Sequence, residues 1–216
     1  MTDPASTTLK PGAETFAHLG RSVAAIRAEL GTEPVSVDAI RDPAIYELER
    51  EKIFRRTWLK VATTSELPAI GDYKVKDLPV VDASVLIVRG KDGVVRAFHN
   101  VCTHRGNKVV PTSDAETFGR ARAGVVTCRF HGWVFGTDGP LRSVPLEDHF
   151  GTLDKACLGL REIACDTWEG FVFINMADPP EQTLAEYLGD FGTLFGGYPY
   201  AEATTAYRYS TVLECN

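Results

Sequence analysis

Between Trp58 and Met176 the apolar positions fall into short runs. "TWLKVA", "DYKVKDL", "SVLIVRG" and "VVRAFHNV" are rich in β-branched and aromatic residues and end at turn-forming residues. Lys91-Asp92-Gly93 joins two of them as a hairpin. "GVVTCRF", "GWVFG" and "LRSVP" continue the series, with Asp138-Gly139-Pro140 as a further turn. "LREIACDTWEGFVFINM" reads as two strands around Glu169-Gly170. The pattern predicts an all-β unit of short antiparallel strands over residues 58–176.

The flanks have a different period. Phe16, Leu19, Val23, Ile26 and Leu30 recur in steps of three and four, which predicts a helix over 14–30, stopped at Gly31. Residues 1–13, rich in Thr, Pro and Gly, read as loose. Asp42-Pro43 predicts a second helix running to about Arg56, with Ile45, Leu48, Lys52 and Ile53 near one another. After Pro179-Pro180 the pattern is helical through "EQTLAEYLGDFGTLF", and "TAYRYSTVLEC" alternates like a strand. The expected organisation is mainly β with flanking helices: 1–57 helical, 58–176 an antiparallel β-sandwich or barrel, and 177–216 the incomplete start of an α+β domain.

Charge narrows the classes of partner. Lys and Arg total 23 against 29 Asp and Glu, for a net −6 in 216 residues. That balance argues against a non-specific nucleic-acid binder and against anionic membranes. No apolar stretch approaches the ~20 residues of a membrane span, and the polar N-terminus has no apolar signal region. A cytoplasmic protein is expected. Five cysteines (Cys102, Cys128, Cys157, Cys165 and Cys215) are an odd set for a disulfide scaffold. In a reducing setting, spaced Cys and His point to metal.

"CTHRGN" (residues 102–107) and "CRFHGW" (residues 128–133) each offer a thiolate and an imidazole, as C-x-H and C-x-x-H. Each follows a predicted strand, so a loop tip can bring them together. Two thiolates and two imidazoles, Cys102, Cys128, His104 and His131, match a Rieske centre, in which histidines replace cysteines on one iron of a [2Fe–2S] cluster. The competing reading is structural zinc, although zinc knuckles usually space their ligands as C-x₂₋₄-C or H-x₃₋₅-H. With two thiolates and two neutral imidazoles an oxidised 2+ core is neutral overall, so it takes an electron more readily than an all-cysteine centre.

"FHNVCTHRGN" and "CRFHGWVFGTDGPL" resemble the Rieske segment of the large subunit of aromatic-ring-hydroxylating (Rieske non-heme iron) oxygenases. "IFRRTWLKVATTSELPAIGDYKV" and "WEGFVFINM" extend the resemblance, which covers roughly residues 42–216. It implies an electron relay fed from an NAD(P)H-linked reductase, with a ferredoxin or a flavin reductase as the electron donor. The relay's destination is a mononuclear iron held by two histidines and a carboxylate, which activates O₂ in a C-terminal catalytic domain. No such histidine pair occurs in residues 177–216, so this iron is expected only in a domain that the chain does not contain. The resemblance also implies a homotrimer or an α–β hetero-oligomer. A stand-alone Rieske electron carrier is the other reading, although such carriers are usually near half this length.

Respiratory Rieske proteins carry an extra cysteine in each loop and Ser and Tyr hydroxyls on the cluster. Here the corresponding loops hold Asn107, Arg129 and Phe130, and Gly132-Trp133-Val134-Phe135 follow His131. Fewer donors to the sulfurs predict a low potential within the Rieske range. The 23 residues between His104 and Cys128 exceed the family's usual spacing. The extra length in "TSDAETFGRARAG" is expected to form a longer surface hairpin. Trp133 is expected beside the cluster, excluding water. Arg105 and Arg129 face a redox partner or are ordinary surface charges. His99 reads as structural, His18 as surface and His149 as unassigned. Cys157, Cys165 and Cys215 are expected as buried free thiols.

Overall fold

A computed structural model describes residues 29, 34, 36–112, 116–203, 207, 209 and 211–213. The chain divides into two compact units, Met1–Asp42 and Pro43–Asn216. In the first, Asp38–Arg41 form a helical turn. The helix expected over 14–30 and His18 fall, apart from Glu29, outside the described residues, as does Cys215.

Among the described residues, the second unit is a sheet structure with two α-helices and ten strands: β1 Trp58–Thr63, β2 Asp72–Leu78, β3 Ala83–Arg89, β4 Val95–His99, β5 Glu116–Arg120, β6 Val125–Thr127, β7 Val134–Gly136, β8 Leu141–Ser143, β9 Glu162–Trp168 and β10 Phe171–Asn175. Seven pair in the order β1-β10-β9-β4-β3-β2-β5, and β6-β7-β8 form a second sheet. All pairings are antiparallel. The expected strands and hairpins over 58–176 are therefore present. Gly90 and Val94 close the β3–β4 hairpin around Lys91-Asp92-Gly93.

The long interval between the predicted ligands differs from expectation. Rather than a free surface hairpin, Glu116–Arg120 form β5 and pair with β2 from Asp72↔Arg120 to Lys76↔Glu116. The anchor is ionic. Lys74, its side chain 3% exposed, meets Glu66 at 2.9 Å and Glu116 at 3.3 Å, and Lys76 meets Glu116 at 3.0 Å. A buried ammonium needs such partners. Alternating charge at this register hid the strand from a hydrophobic-pattern reading.

β3 explains why there are two cores. Val85 and Ile87 face one cluster with Val61, Leu67, Ile163, Val172 and Ile174. Leu86 and Val88 face the other, with Val75, Phe98, Phe135 and Leu141. Both faces are dry, so the strand reads as an unbroken apolar run. The second cluster also contains Cys102, Cys128 and Trp133, which places the predicted site on its rim.

The helices are less regular than their sequence suggests. α1, Pro43–Glu49, does not continue to Arg56 but passes into a π-helical turn, Arg50–Phe54, in which no residue is buried. Leu48 and Ile53 are exposed rather than gathered on a packed face. This segment is held by arginines: Arg50 and Arg55 donate to the carbonyls of Val80 and Val81. α2, Leu184–Leu194, starts at a capping box between Thr183 and Glu186 and bends at Gly189. Of the strand expected in "TAYRYSTVLEC", the described residues Tyr207, Tyr209, Thr211, Val212 and Leu213 are not in a ladder. Among the described residues, no helix is long and apolar enough to cross a membrane.

Candidate metal centre

Two loops of matched construction carry the four predicted residues. In the first, Cys102 N–H donates to the Asn107 carbonyl at 2.7 Å and Gly106 N–H donates to the Cys102 carbonyl at 2.9 Å. In the second, Cys128 N–H donates to the Trp133 carbonyl and Gly132 N–H to the Cys128 carbonyl, both at 2.9 Å. Each loop thus starts at a cysteine, turns at a glycine and closes one residue later. Gly106 (φ +74°) and Gly132 (φ +73°) adopt left-handed backbone, which explains the glycine at the fifth position of both motifs. A Cβ on Gly132 would also lie 2.9 Å from Pro145 Cγ.

The first loop has a buried clamp that the sequence reading passed over. Asn100 is fully buried, and its side chain donates to Ser84 Oγ at 3.1 Å and to the Val110 carbonyl at 2.8 Å. Its Oδ1 accepts from Val110 N–H at 2.9 Å. One amide therefore ties the two feet of the loop together and fastens them to the start of β3.

The loops bring all four side chains into one place. Cys102 and Cys128 are buried and free of disulfides. Burial pushes the Cys102 thiol up from its ordinary value, and the adjacent Cys128 adds to this; backbone N–H groups of His104 and Arg105 aimed at the sulfur act the other way. The His104 and His131 rings lie edge to face, centroids 4.7 Å apart. Partial burial, together with the neighbouring His131 and Arg105, holds His104 below the ordinary histidine value, favouring the neutral imidazole that binds metal. Its Nδ1 is buried without a hydrogen-bond partner. A buried, unpaired ring nitrogen is costly unless something else takes its lone pair, and a metal ion does so.

Aromatic side chains cover the histidines. Trp133, 3% exposed, stacks on His104, and Phe150 meets both rings edge-on. Phe130 tilts over His131, centroids 3.9 Å apart, and both are exposed. Trp133 therefore lies against His104, one of the predicted ligands. The side-chain amide of Asn107 also reaches across, its Nδ2 lying 3.9 Å from Cys128 Sγ.

The remaining candidates are elsewhere. Arg105 and Arg129 are exposed beside their ligand residues. His99 ends β4, where burial holds it below the ordinary histidine value. His149 lies in the short 3₁₀ turn Glu147–Phe150. Cys157 is exposed rather than buried, and its thiol contacts Asp154 Oδ2 at 3.2 Å. Cys165 is partly buried, and desolvation pushes its thiol up to about 12.

Among the described residues, no three His, Cys, Asp or Glu side chains gather around a point that one ion could occupy. The donors fall into a pair of buried thiols and a pair of imidazoles, a set that fits the two irons of a Rieske [2Fe–2S] cluster.

Comparison with known proteins agrees. Residues 57–160 match the Rieske [2Fe–2S] domain. The large oxygenase component of the naphthalene 1,2-dioxygenase system of Pseudomonas aeruginosa is 40% identical over 154 residues, 70% of this chain and 32% of that protein. The carnitine monooxygenase oxygenase subunit of Acinetobacter baumannii is 39% identical over 132 residues, 61% of this chain and 33% of that one. Among solved structures, naphthalene 1,2-dioxygenase from Rhodococcus sp. superposes with a TM-score of 0.65 at 32% identity, over 73% of this chain and 34% of that one. A quaternary ammonium Rieske monooxygenase with L-carnitine gives 0.62 at 32% identity, over 76% and 48%. The chain spans about a third of the length of the curated relatives it matches.

Proposed function

We propose that this chain belongs to the Rieske family of oxygenase large subunits, and that Cys102 and Cys128 hold one iron of a [2Fe–2S] cluster while His104 and His131 hold the other. When bound, the cluster supplies reversible one-electron transfer. The observation that carries the reading is the pair of matched loops, which delivers two buried thiols and two imidazoles to one place.

Each surrounding residue then has a definable task. The N–H groups of His104 and Arg105 aim positive dipoles at the Cys102 sulfur, favouring the thiolate needed for ligation. Trp133 and Phe150 fix the His104 ring and keep water from it. Exposed His131 leaves one edge of the site open to an electron-transfer partner. Asn100 holds the first loop in shape whether or not metal is present.

In the larger protein this part accepts electrons from an NAD(P)H-linked reductase, directly or through a ferredoxin, and passes them to a mononuclear iron that activates O₂. That iron would be held by the portion in which the relatives exceed this chain. Exposed Phe191, Leu194, Phe195 and Tyr198 on and after α2 support the reading of a part that packs against more protein. The domain boundaries at 57/58 and 176/177 belong to the same proposal, as do a cytoplasmic location and a trimeric or α–β assembly.

The test is anaerobic purification of the chain, with iron and sulfide analysis, visible spectroscopy and EPR of the reduced protein. A red-brown protein with two irons and two sulfides per [2Fe–2S] centre, lost in Cys128→Ser, is expected. A colourless zinc-bound protein overturns the proposal.

A further inference from the structure

We propose that Asn107 sets the electron affinity of this centre by donating a hydrogen bond from its side-chain amide to the Cys128 sulfur; the inference rests on the reading of Cys128 as an iron ligand.

The geometry assigns the donor. Asn107 closes the first loop, its carbonyl accepting from Cys102 N–H. Its Nδ2 lies 2.9 Å from the Lys108 carbonyl, which accepts one amide hydrogen and so fixes which end of the carboxamide is nitrogen. The other hydrogen is left for Cys128 Sγ, 3.9 Å from Nδ2 and on the opposite loop. Were the carboxamide reversed, oxygen would face both a carbonyl oxygen and a thiolate.

The position is not incidental. The residue closing the second loop is Trp133, which crosses in the other direction to stack on His104. Each loop's closing residue therefore contacts a ligand residue of the opposite loop. One crossing is apolar and covers an imidazole; the other is polar and points a donor at a thiolate. The pair knits the loops together around the site.

The chemical consequence follows from charge. On reduction one electron enters from a lower-potential reductant, no covalent bond forms or breaks, and the centre becomes more negative by one unit. A ligand sulfur then carries more negative charge and accepts a hydrogen bond more strongly. Asn107 thus stabilises the reduced state more than the oxidised one and raises the potential. It supplies to the sulfur what Ser and Tyr hydroxyls supply in the respiratory type.

The experiment is a dye-equilibrated spectroelectrochemical titration of the full chain carrying its cluster, comparing native protein with Asn107→Leu and Asn107→Asp. Asn107→Leu keeps the approximate volume and removes the donor; its electron affinity should fall roughly tenfold, which for a one-electron couple is about 59 mV. Asn107→Asp adds a negative charge beside the sulfur and should fall further. A loaded Asn107→Leu whose affinity is unchanged within twofold, or higher, overturns the proposal. Loss of the cluster from both variants, with native circular dichroism, also overturns it, because the side chain would then be holding the cluster rather than tuning it. A native protein with no [2Fe–2S] spectrum fails the ligand reading itself, before Asn107 is in question.

Discussion

The indole of Trp133 lies flat on the imidazole of His104, ring centroids 4.7 Å apart and planes 7° from parallel. The indole is also buried in the core cluster that contains both cysteines. One side chain thus joins the packing of the sheet to the cover of a ligand. Trp133→Ala should cost about 3–5 kcal/mol of stability, the usual range for a buried aromatic. It should also speed the loss of visible absorbance on exposure to a chelator. Trp133→Phe, which keeps a stacked ring, should lose much less of either. Denaturant melts and bleaching rates check both.

Asn100 offers a separate test of the loop's foundation. Asn100→Ala leaves the N–H and carbonyl of Val110 without their side-chain partner inside the protein. Each unsatisfied buried group costs about 1–3 kcal/mol, so a loss of about 2–6 kcal/mol is expected for the two. Hydrogen exchange at the Val110 amide should accelerate more than global unfolding requires.

Lys74 ties β5 to the sheet. Lys74→Met removes the cation between Glu66 and Glu116, leaving the carboxylates to repel each other. Those carboxylates are partly exposed, so we expect about 1–3 kcal/mol rather than the full cost of a broken buried pair. The pH dependence has a definite sign. Burial pushes Glu116 up, but the hydrogen bond from Lys76 and the charges of Lys74 and Lys76 outweigh it and hold the carboxyl below the ordinary glutamate value. A depressed carboxyl contributes stability that is complete above that ordinary value and is lost as the pH falls through the lower, folded value. Thermal melts should show this acid loss in native protein and a smaller one in Lys74→Met.

The two loop glycines separate backbone from steric cost. Both have left-handed φ, but a Cβ at Gly106 meets nothing within 4 Å, whereas one at Gly132 meets Pro145 Cγ at 2.9 Å. Gly106→Ala should cost about 1–2 kcal/mol for conformation alone. Gly132→Ala should cost measurably more and reduce cluster occupancy, read as iron per chain against the Gly106→Ala protein.

The two loops were legible in the sequence because each joins a cysteine, a histidine and a glycine within five residues, Cys102 to Gly106 and Cys128 to Gly132. The strands were legible because β-branched runs alternate with turn residues. β5 was not, because its tie to β2 is made by Lys74, Lys76 and Glu116, charges that ordinarily mark solvent. The π-helical turn was hidden because Leu48, Lys52 and Ile53 keep helical spacing without a face to pack. Asn107 and Asn100 were missed as partners because a side-chain amide declares its acceptor only once the chain is folded.

β3 carries a mechanical consequence. Val85, Leu86, Ile87 and Val88 are all buried and all aliphatic, so a slip of one residue would exchange two similar sets between two similar cores. Packing alone distinguishes such alignments weakly. What tells them apart are the polar ends of the strand. Arg89 donates to the carbonyls of Leu67 and Gly93 at one end, and the Ser84 carbonyl takes Asn100 N–H at the other. A slip would displace β4, and Cys102 with it, by about 3.3 Å, the rise of one strand residue. The position of Cys102 relative to the second loop is therefore indexed by an arginine and a serine that lie outside both loops, as a vernier is read from its end marks.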